Sequence, residues 1–316
     1  MFKKIVQFEI GEDIQGFYLI RRAELRTTQA GKKYIDATLI DNSGEINAKL
    51  WGAEEPDIKI FGEGDIVKLS ARVNEWNGQR QLSIKKYRPI SANDEVNIEN
   101  FVPSAPQKGE LYFDLIGEHV EQMHNQDIKR LCKAIMLDRK EDMVVYPAAK
   151  SNHHAIRAGL VYHIYRMLEV ADRLCDVYET ANRDLLKAGI ILHDYCKMDE
   201  MNLNSMGLVS EYSVKGNLLG HISMGVNLIE KKGEELHVDP EIIMLIQHMI
   251  LSHHYFPEYG SPKKPLFIEA ELLHHIDVID AAVYDFSKAA KETKVGDFSE
   301  PVWSLDRRRV YNHGLK

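Results

Sequence analysis

The stretch Ile190-Ile191-Leu192-His193-Asp194 decides how this chain is read. An apolar run at helical pitch ends in adjacent His and Asp. Such a pair offers a cation one nitrogen and one oxygen ligand. By chance alone the pair is common, so its weight comes from what surrounds it. Upstream, His163 lies on a stripe with Leu160, Met167, Val170 and Leu174, which recur at helical spacing. Downstream, His221 shares a helical face with Leu218, Met224 and Leu228. His253 and His254 close another apolar run, and Asp277 ends Leu272-Leu273-His274-His275-Ile276-Asp277. Each His alone reads as a hydrogen-bonded core residue. A carboxylate buried among such neighbours is costly unless it is paired or bound to a cation. Several helices converging His and Asp on one core site would meet that cost with metal.

His163, His193, Asp194 and Asp277 suffice for one ion. His221 and His253 leave room for a second, with Asp194 bridging. Paired cations suit phosphodiester hydrolysis, because they acidify water, hold the phosphate and stabilise the leaving oxygen. Nitrogen and oxygen ligands without thiolate fit Mn²⁺, Fe²⁺, Co²⁺ or Zn²⁺ better than an all-oxygen Mg²⁺ site. Lys197, one helical turn after His193, is a candidate catalytic residue pointing at a phosphate oxygen. A solvated Lys at a helix C-terminus is the competing reading.

The remainder of the chain places this region behind a second domain. At 316 residues there is length for two cores, and 44% hydrophobic with 28% charged residues describes a globular chain. No apolar run approaches bilayer length and no signal segment is evident, so no membrane association is expected. Cys132, Cys175 and Cys196 form no CxxC pair, so a reducing cytoplasm is the expected location. The net charge of −8 gives no global attraction to a polyanion; a nucleic-acid role needs local cations.

Residues 14 to 90 read as β, with runs at Phe17–Thr27, Tyr34–Asp41, Glu45–Trp51, Asp65–Trp76 and Gln79–Arg88. Asn77-Gly78 is a type I′ hairpin signal, and a short helix is expected over Ala53–Phe61. Five strands with a helix between the third and fourth is the layout of an OB-fold barrel. Such barrels bind single strands by stacking bases on aromatics beside basic groups. Phe17, Tyr34, Trp51 and Trp76 are candidates, with Arg21, Arg22, Lys49 and Lys85, although barrel core accounts for most such aromatics. Residues 1–92 are thus the expected barrel domain, 93–108 a linker with Pro103 and Pro106, 109–293 an all-α domain and 294–316 a tail. Helices are expected near 109–123, 125–138, 155–177, 182–194, 216–235, 240–253 and 266–292, with a loop over Asn202–Lys215. The tail triplet Arg307-Arg308-Arg309 suits either RNA phosphates or a solvated surface.

The ligand order H…HD…H…HH…D resembles the HD-domain metal phosphohydrolases. With the barrel in front, nearly the full chain resembles the YhaM-family 3′-to-5′ exoribonucleases. Carrying segments are Ser151-Asn152-His153-His154-Ala155, Ala158-Gly159-Leu160-Val161-Tyr162-His163, Leu192-His193-Asp194, Leu251-Ser252-His253-His254, Glu258-Tyr259-Gly260-Ser261-Pro262 and Leu273-His274-His275-Ile276-Asp277-Val278-Ile279-Asp280-Ala281. The resemblance implies a Mn²⁺-supported enzyme that removes nucleotides from the 3′ end of single-stranded RNA, with single-stranded DNA as a second polymer. It implies ligands at His163, His193, Asp194, His221, His253 and Asp277, with Asp194 also catalytic. His254 is then a catalytic or outer-shell candidate, and His154, Tyr259, Ser261, Trp51, Trp76 and Arg22 are candidates for substrate contact. The barrel would hold the strand while its 3′ end reaches the helical core. One departure stands out: Tyr195-Cys196 occupy the place of the Ile-Gly that often follows the motif, with Cys196 read as a spectator thiol. Two rivals compete: a phosphohydrolase of a dNTP or cyclic dinucleotide, and a non-catalytic OB-fold nucleic-acid-binding protein. A homo-oligomer is compatible with each.

Overall fold

The computed structural model describes residues 3–94, 96–150, 154–204 and 206–315. The chain divides into two compact units, Met1–Pro103 with Asn204–Met206, and Ser104–Leu203 with Gly207–Lys316. The motif residues Ser151, Asn152 and His153 lie outside the described residues.

The first unit is the expected five-stranded OB barrel. Strands β1 (Asp13–Thr27), β2 (Lys33–Asp41), β3 (Gly44–Trp51), β4 (Ile66–Trp76) and β5 (Gln79–Pro89) close in the order β1-β2-β3-β5-β4. Closure needs β1 to serve two partners. Its first half pairs with β4 and its second with β2, and an irregularity between Ile20 and Arg22 bends it between them. The parallel register Asn47↔Gln81 to Lys49↔Ser83 seals the last seam. At the β4–β5 turn, Asn77 (φ 50°) and Gly78 (φ 75°) take the two positive-φ positions of a type I′ turn. Alternation sends Ile35, Ala37 and Leu39 of β2, and Val67, Leu69, Ala71 and Val73 of β4, into the core. Helix α1 is only Glu55–Ile58, shorter than the expected 53–61. The Asp57 carboxylate accepts from the Glu54 backbone N–H and fixes its start.

The second unit is helical: α2 (Gly109–Glu121), α3 (Gln126–Asp138), α4 (Lys140–Met143), α5 (Gly159–Val177), α6 (Arg183–Leu192), α7 (Lys197–Glu200), α8 (Val214–Glu235), α9 (Pro240–Ser252) and α10 (Ile268–Glu292). Every residue of α6 from Leu185 to Leu192 is buried, Lys187 through its ion pair with Asp172, which marks a helix surrounded by others. It packs against α3, α5, α9 and α10. Gly189 permits the close approach: a Cβ there would stand 2.1 Å from Met249 Cε and 3.3 Å from Leu273 Cδ2.

Two local expectations are corrected. Helix α5 begins at Gly159 rather than 155, because Ala158 is left-handed (φ 58°) and its N–H donates to the Val145 carbonyl. The expected loop over 202–215 instead holds two short strands, β6 (Met201–Leu203) and β7 (Val209–Tyr212), and α8 starts at Val214. Ser213 Oγ caps α8 by accepting from the Gly216 N–H.

Residues 93–108 include buried Phe101 and Val102, and Ser104 bridges to Arg157. Beyond α10 the chain folds back on that helix. Leu305 and Val310 pack with Ala289, and the Asn312 amide donates to the carbonyls of Ala290 and Thr293. The tail arginines lie over rings, Arg307 over Trp303, Arg308 over Phe286 and Arg309 over Phe298. No helix among the described residues is long and apolar enough to cross a membrane.

Candidate metal centre

Because α6 runs through the middle of the bundle, its C-terminal cap delivers His193 and Asp194 into the interior, each 1% exposed. Helix α5 brings His163, α8 brings His221, the end of α9 brings His253 and His254, and α10 brings Asp277. Two sets of ligand atoms result. Asp194, His221, His253 and His254 form one; His163, His193 and Asp277 form the other.

Asp194 joins them. Its Oδ2 lies 3.3 Å from His193 Nε2, while its Oδ1 lies 3.4 Å from His221 Nε2 and 3.8 Å from His253 Nε2. On the far side, His163 Nε2 is 3.2 Å from Asp277 Oδ1. Two ligands of one cation bound at about 2.1 Å lie about 3–3.5 Å from each other, so these separations suit shared ions. Four buried atoms, His193 Nε2, His221 Nε2, His253 Nε2 and Asp194 Oδ1, have no hydrogen-bond partner among the described residues. Leaving a buried polar atom unsatisfied costs about 1–3 kcal/mol each, so a convergent group of them needs a reason. Divalent cations supply one, and the donor set of imidazole and carboxylate fits them.

The histidines are all aimed by the same device. The His193 Nδ1–H donates to the Ile190 carbonyl and the His253 Nδ1–H to the Ile250 carbonyl, both at 2.8 Å. His221 Nδ1 is 3.0 Å from Glu200 Oε1, His163 Nδ1 is 2.8 Å from Asp280 Oδ2, and His254 Nδ1 is 2.5 Å from the Tyr259 carbonyl. With Nδ1 carrying the proton, a neutral ring turns its Nε2 lone pair to the centre. Gly220 adjusts one of them. Its φ of 70° and ψ of 158° break α8 just before His221, whose backbone N–H also donates to Glu200 Oε1.

Charge follows the geometry. Burial would raise the Asp194 carboxyl, but His193 and Lys197 beside it hold it well below its ordinary value. Burial opposes the low values of Asp277 and Glu200 too, and His163 and His221 respectively outweigh it. Burial works against a charged His163, yet Asp277 and Asp280 push it up to about 9. His253 and His254 are lowered, by burial first and by neighbouring imidazoles next.

The remaining expected site residues fall into three groups. Tyr259 is exposed and lines a cleft of about 530 Å³ over the cluster, with His254 and Lys197. Lys197 lines it too but is 12% exposed, its ammonium 2.6 Å from Asp194 Oδ2, so a partner already holds it. His154 and Ser261 are fully buried and do not reach the cleft surface. Instead His154 stands 2.8 Å from Asp280, and Ser261 Oγ accepts from the His254 N–H. Trp51, Trp76 and Arg22 are in the barrel. Both tryptophans are exposed, and Trp51 stacks on Tyr34 with ring centres 4.9 Å apart. Barrel core therefore does not account for them; Phe8, Tyr18 and Phe61 fill that role. Arg22 pairs with Glu24, Arg21 with Glu45 and Lys49 with Asp36, which leaves little net charge on this face.

Sequence reading missed Glu200 and Asp280, which position His221 and His163. Asp280 had a signal, since three residues after Asp277 puts it on the same helix face. Glu200 had none.

This fold and site define an HD-domain protein joined to a nucleic-acid-binding barrel. The HD domain family model matches residues 160–282, and the OB-fold nucleic acid binding domain model matches residues 20–90. Over 313 residues, 99% of each chain, the sequence is 40% identical to a Listeria welshimeri protein named 3′-5′ exoribonuclease YhaM. Proteins of the same name from Bacillus licheniformis and Bacillus subtilis are each 39% identical over 312 residues, 98% of each chain. The chain belongs to the YhaM 3′-5′ exoribonuclease family, as its motifs led one to expect.

Proposed function

We propose that this chain is a metal-dependent 3′-to-5′ exoribonuclease that hydrolyses single-stranded RNA to nucleoside 5′-monophosphates. The observation that carries this reading is the buried Asp194, with one oxygen toward His193 and the other toward His221 and His253. So placed, it would bridge two cations, one held with His163, His193 and Asp277, the other with His221, His253 and His254. Bound there, divalent ions would acidify a water molecule and neutralise the charge that develops on the phosphate. We assign Mn²⁺ first, with Fe²⁺, Co²⁺ and Zn²⁺ as alternatives that the same ligands accept.

The chain's own share is positional. The carbonyls of Ile190 and Ile250 and the carboxylates of Glu200 and Asp280 lock the imidazoles. Lys197 keeps Asp194 ionised rather than reaching for phosphate. Trp51 and Trp76 offer ring faces for unpaired bases, a sequence-tolerant form of binding. The 3′-to-5′ direction and the choice of RNA rest on the names of the relatives. Free, buried thiols accord with a reducing cytoplasm.

The test is product analysis on 5′-labelled single-stranded RNA with a free or a phosphate-blocked 3′ end. The chelated protein should be inactive. Added Mn²⁺ should restore release of mononucleotides from the free end only. Single-stranded DNA, dNTPs and cyclic dinucleotides run beside it separate the rival substrates. Mononucleotide release that survives chelation, or turnover of dNTPs without turnover of RNA, sinks the proposal.

A further inference from the structure

The cleft over the cluster has two lysines in its described lining, Lys150 and Lys197. Asp194 already holds Lys197. Lys150 differs: it is exposed, and among the described residues no carboxylate lies within ion-pair distance of it. Its ammonium stands instead over the ring of Tyr212, 5.6 Å from the centroid. Tyr212 also lines the cleft and is 44% exposed.

The position of that ring is set by the same chain segment that aims a ligand. Glu200, which fixes His221, ends α7, and β6 begins at the next residue. Met201 of β6 pairs with Tyr212 of β7. One residue further on, the Ser213 N–H donates to the Glu200 carbonyl at 2.8 Å. The ring is therefore held at a fixed reach from the His–Asp cluster.

We propose that Lys150 and Tyr212 form a nucleotide subsite of the cleft, taking the phosphate and the unpaired base next to the scissile bond. The inference rests on the exoribonuclease reading above. A strand approaching this chain meets a net charge of −8 and a cleft lined by Glu200 and Asp277. An ammonium with no carboxylate partner among the described residues offsets that repulsion for the neighbouring phosphate. An aromatic face accepts any base, provided the base is not paired. The subsite thus favours single strands without reading sequence.

Steady-state kinetics on 5′-labelled single-stranded RNA with Mn²⁺, at several salt concentrations, tests it. Both side chains are exposed, so the variants should fold. Tyr212→Ala should raise KM about 5- to 100-fold, and Tyr212→Phe should restore it. Lys150→Ala should raise KM and lower the slope of log KM against log salt by about 0.7, with Lys150→Arg close to wild type. Affinity for Mn²⁺ alone, read by isothermal titration, should be unchanged in all four. Wild-type KM and salt slope in Lys150→Ala and Tyr212→Ala overturn the subsite while leaving the nuclease intact. A parallel loss of Mn²⁺ affinity also overturns it, because the residues would then support the centre itself. Failure of the wild type to degrade RNA is the separate failure of the nuclease reading.

Discussion

Asp280→Asn isolates the positioning of one histidine from the ligands themselves. Asp280 is 2% exposed; its Oδ2 lies 2.8 Å from both His154 Nε2 and His163 Nδ1, and its Oδ1 accepts from Arg166 Nε at 2.5 Å. Arg166 can only donate, so in the variant the amide oxygen must face it and the amide NH₂ must face the two histidines. His163 then has to accept at Nδ1 and carry its proton on Nε2, the atom turned toward Asp277. That tautomer has no lone pair for a cation. Loss of an outer partner of this kind lowers metal affinity about 10- to 100-fold, or about 1.4–2.7 kcal/mol. Losing the charge of a buried, hydrogen-bonded carboxylate should also destabilise the domain by about 2–4 kcal/mol. Isothermal titration with Mn²⁺ measures the first quantity and denaturant unfolding the second. Asp172→Asn is the control. Asp172 holds Lys187 at 2.8 Å and Arg183 at 2.7 Å away from the cluster, so that variant should lose stability but keep metal affinity. If Asp280→Asn binds Mn²⁺ as the wild type does, the tautomer argument is wrong.

Three further outcomes are expected. Gly220→Ala forces a side chain onto φ 70°, ψ 158°, a strain of about 1–3 kcal/mol; titration should show weaker binding of one ion equivalent, and unchanged stoichiometry and affinity would contradict the role given to the break in α8. Burial pushes the thiols of Cys132 and Cys196 up to about 12 and raises that of Cys175. Ellman's reagent should therefore leave the native protein unlabelled and label all three after denaturation; a rapid native reaction would count against the packing. Burial, and Lys187 next, hold His119 below the usual 6.5. A lowered imidazole adds stability that is present above 6.5 and lost as pH falls through that value toward the folded one. The unfolding free energy should thus drop between pH 7 and pH 5.5, less so in His119→Asn, and an identical drop in both would refute the assignment.

Much of the molecule was legible in the chain because the signals are local. Alternation in β4 and β5, and Asn77-Gly78 between them, fix where those strands run and turn. The apolar run Ile190-Ile191-Leu192 pointed to a buried helix end, and His193-Asp194 follow it directly. The other imidazoles and carboxylates were picked out by helical spacing together with the resemblance to HD-domain phosphohydrolases. Local reading ended where backbone conformation depends on distant partners. Ala158 turns left-handed because Val145 and Tyr146 take the neighbouring N–H groups, and 202–215 becomes a hairpin rather than a loop.

What the amino-acid order determined by itself was therefore most of the elements and the types of ligand. Tertiary structure decided which atoms face one another. It paired Lys197 with Asp194, turned His154 and Ser261 inward, and brought Glu200 and Asp280 to histidines 21 and 117 residues away. The physical reason is that a hydrogen bond or an ion pair is settled within a few ångströms, whereas the residues that make it are brought together only by packing the whole bundle.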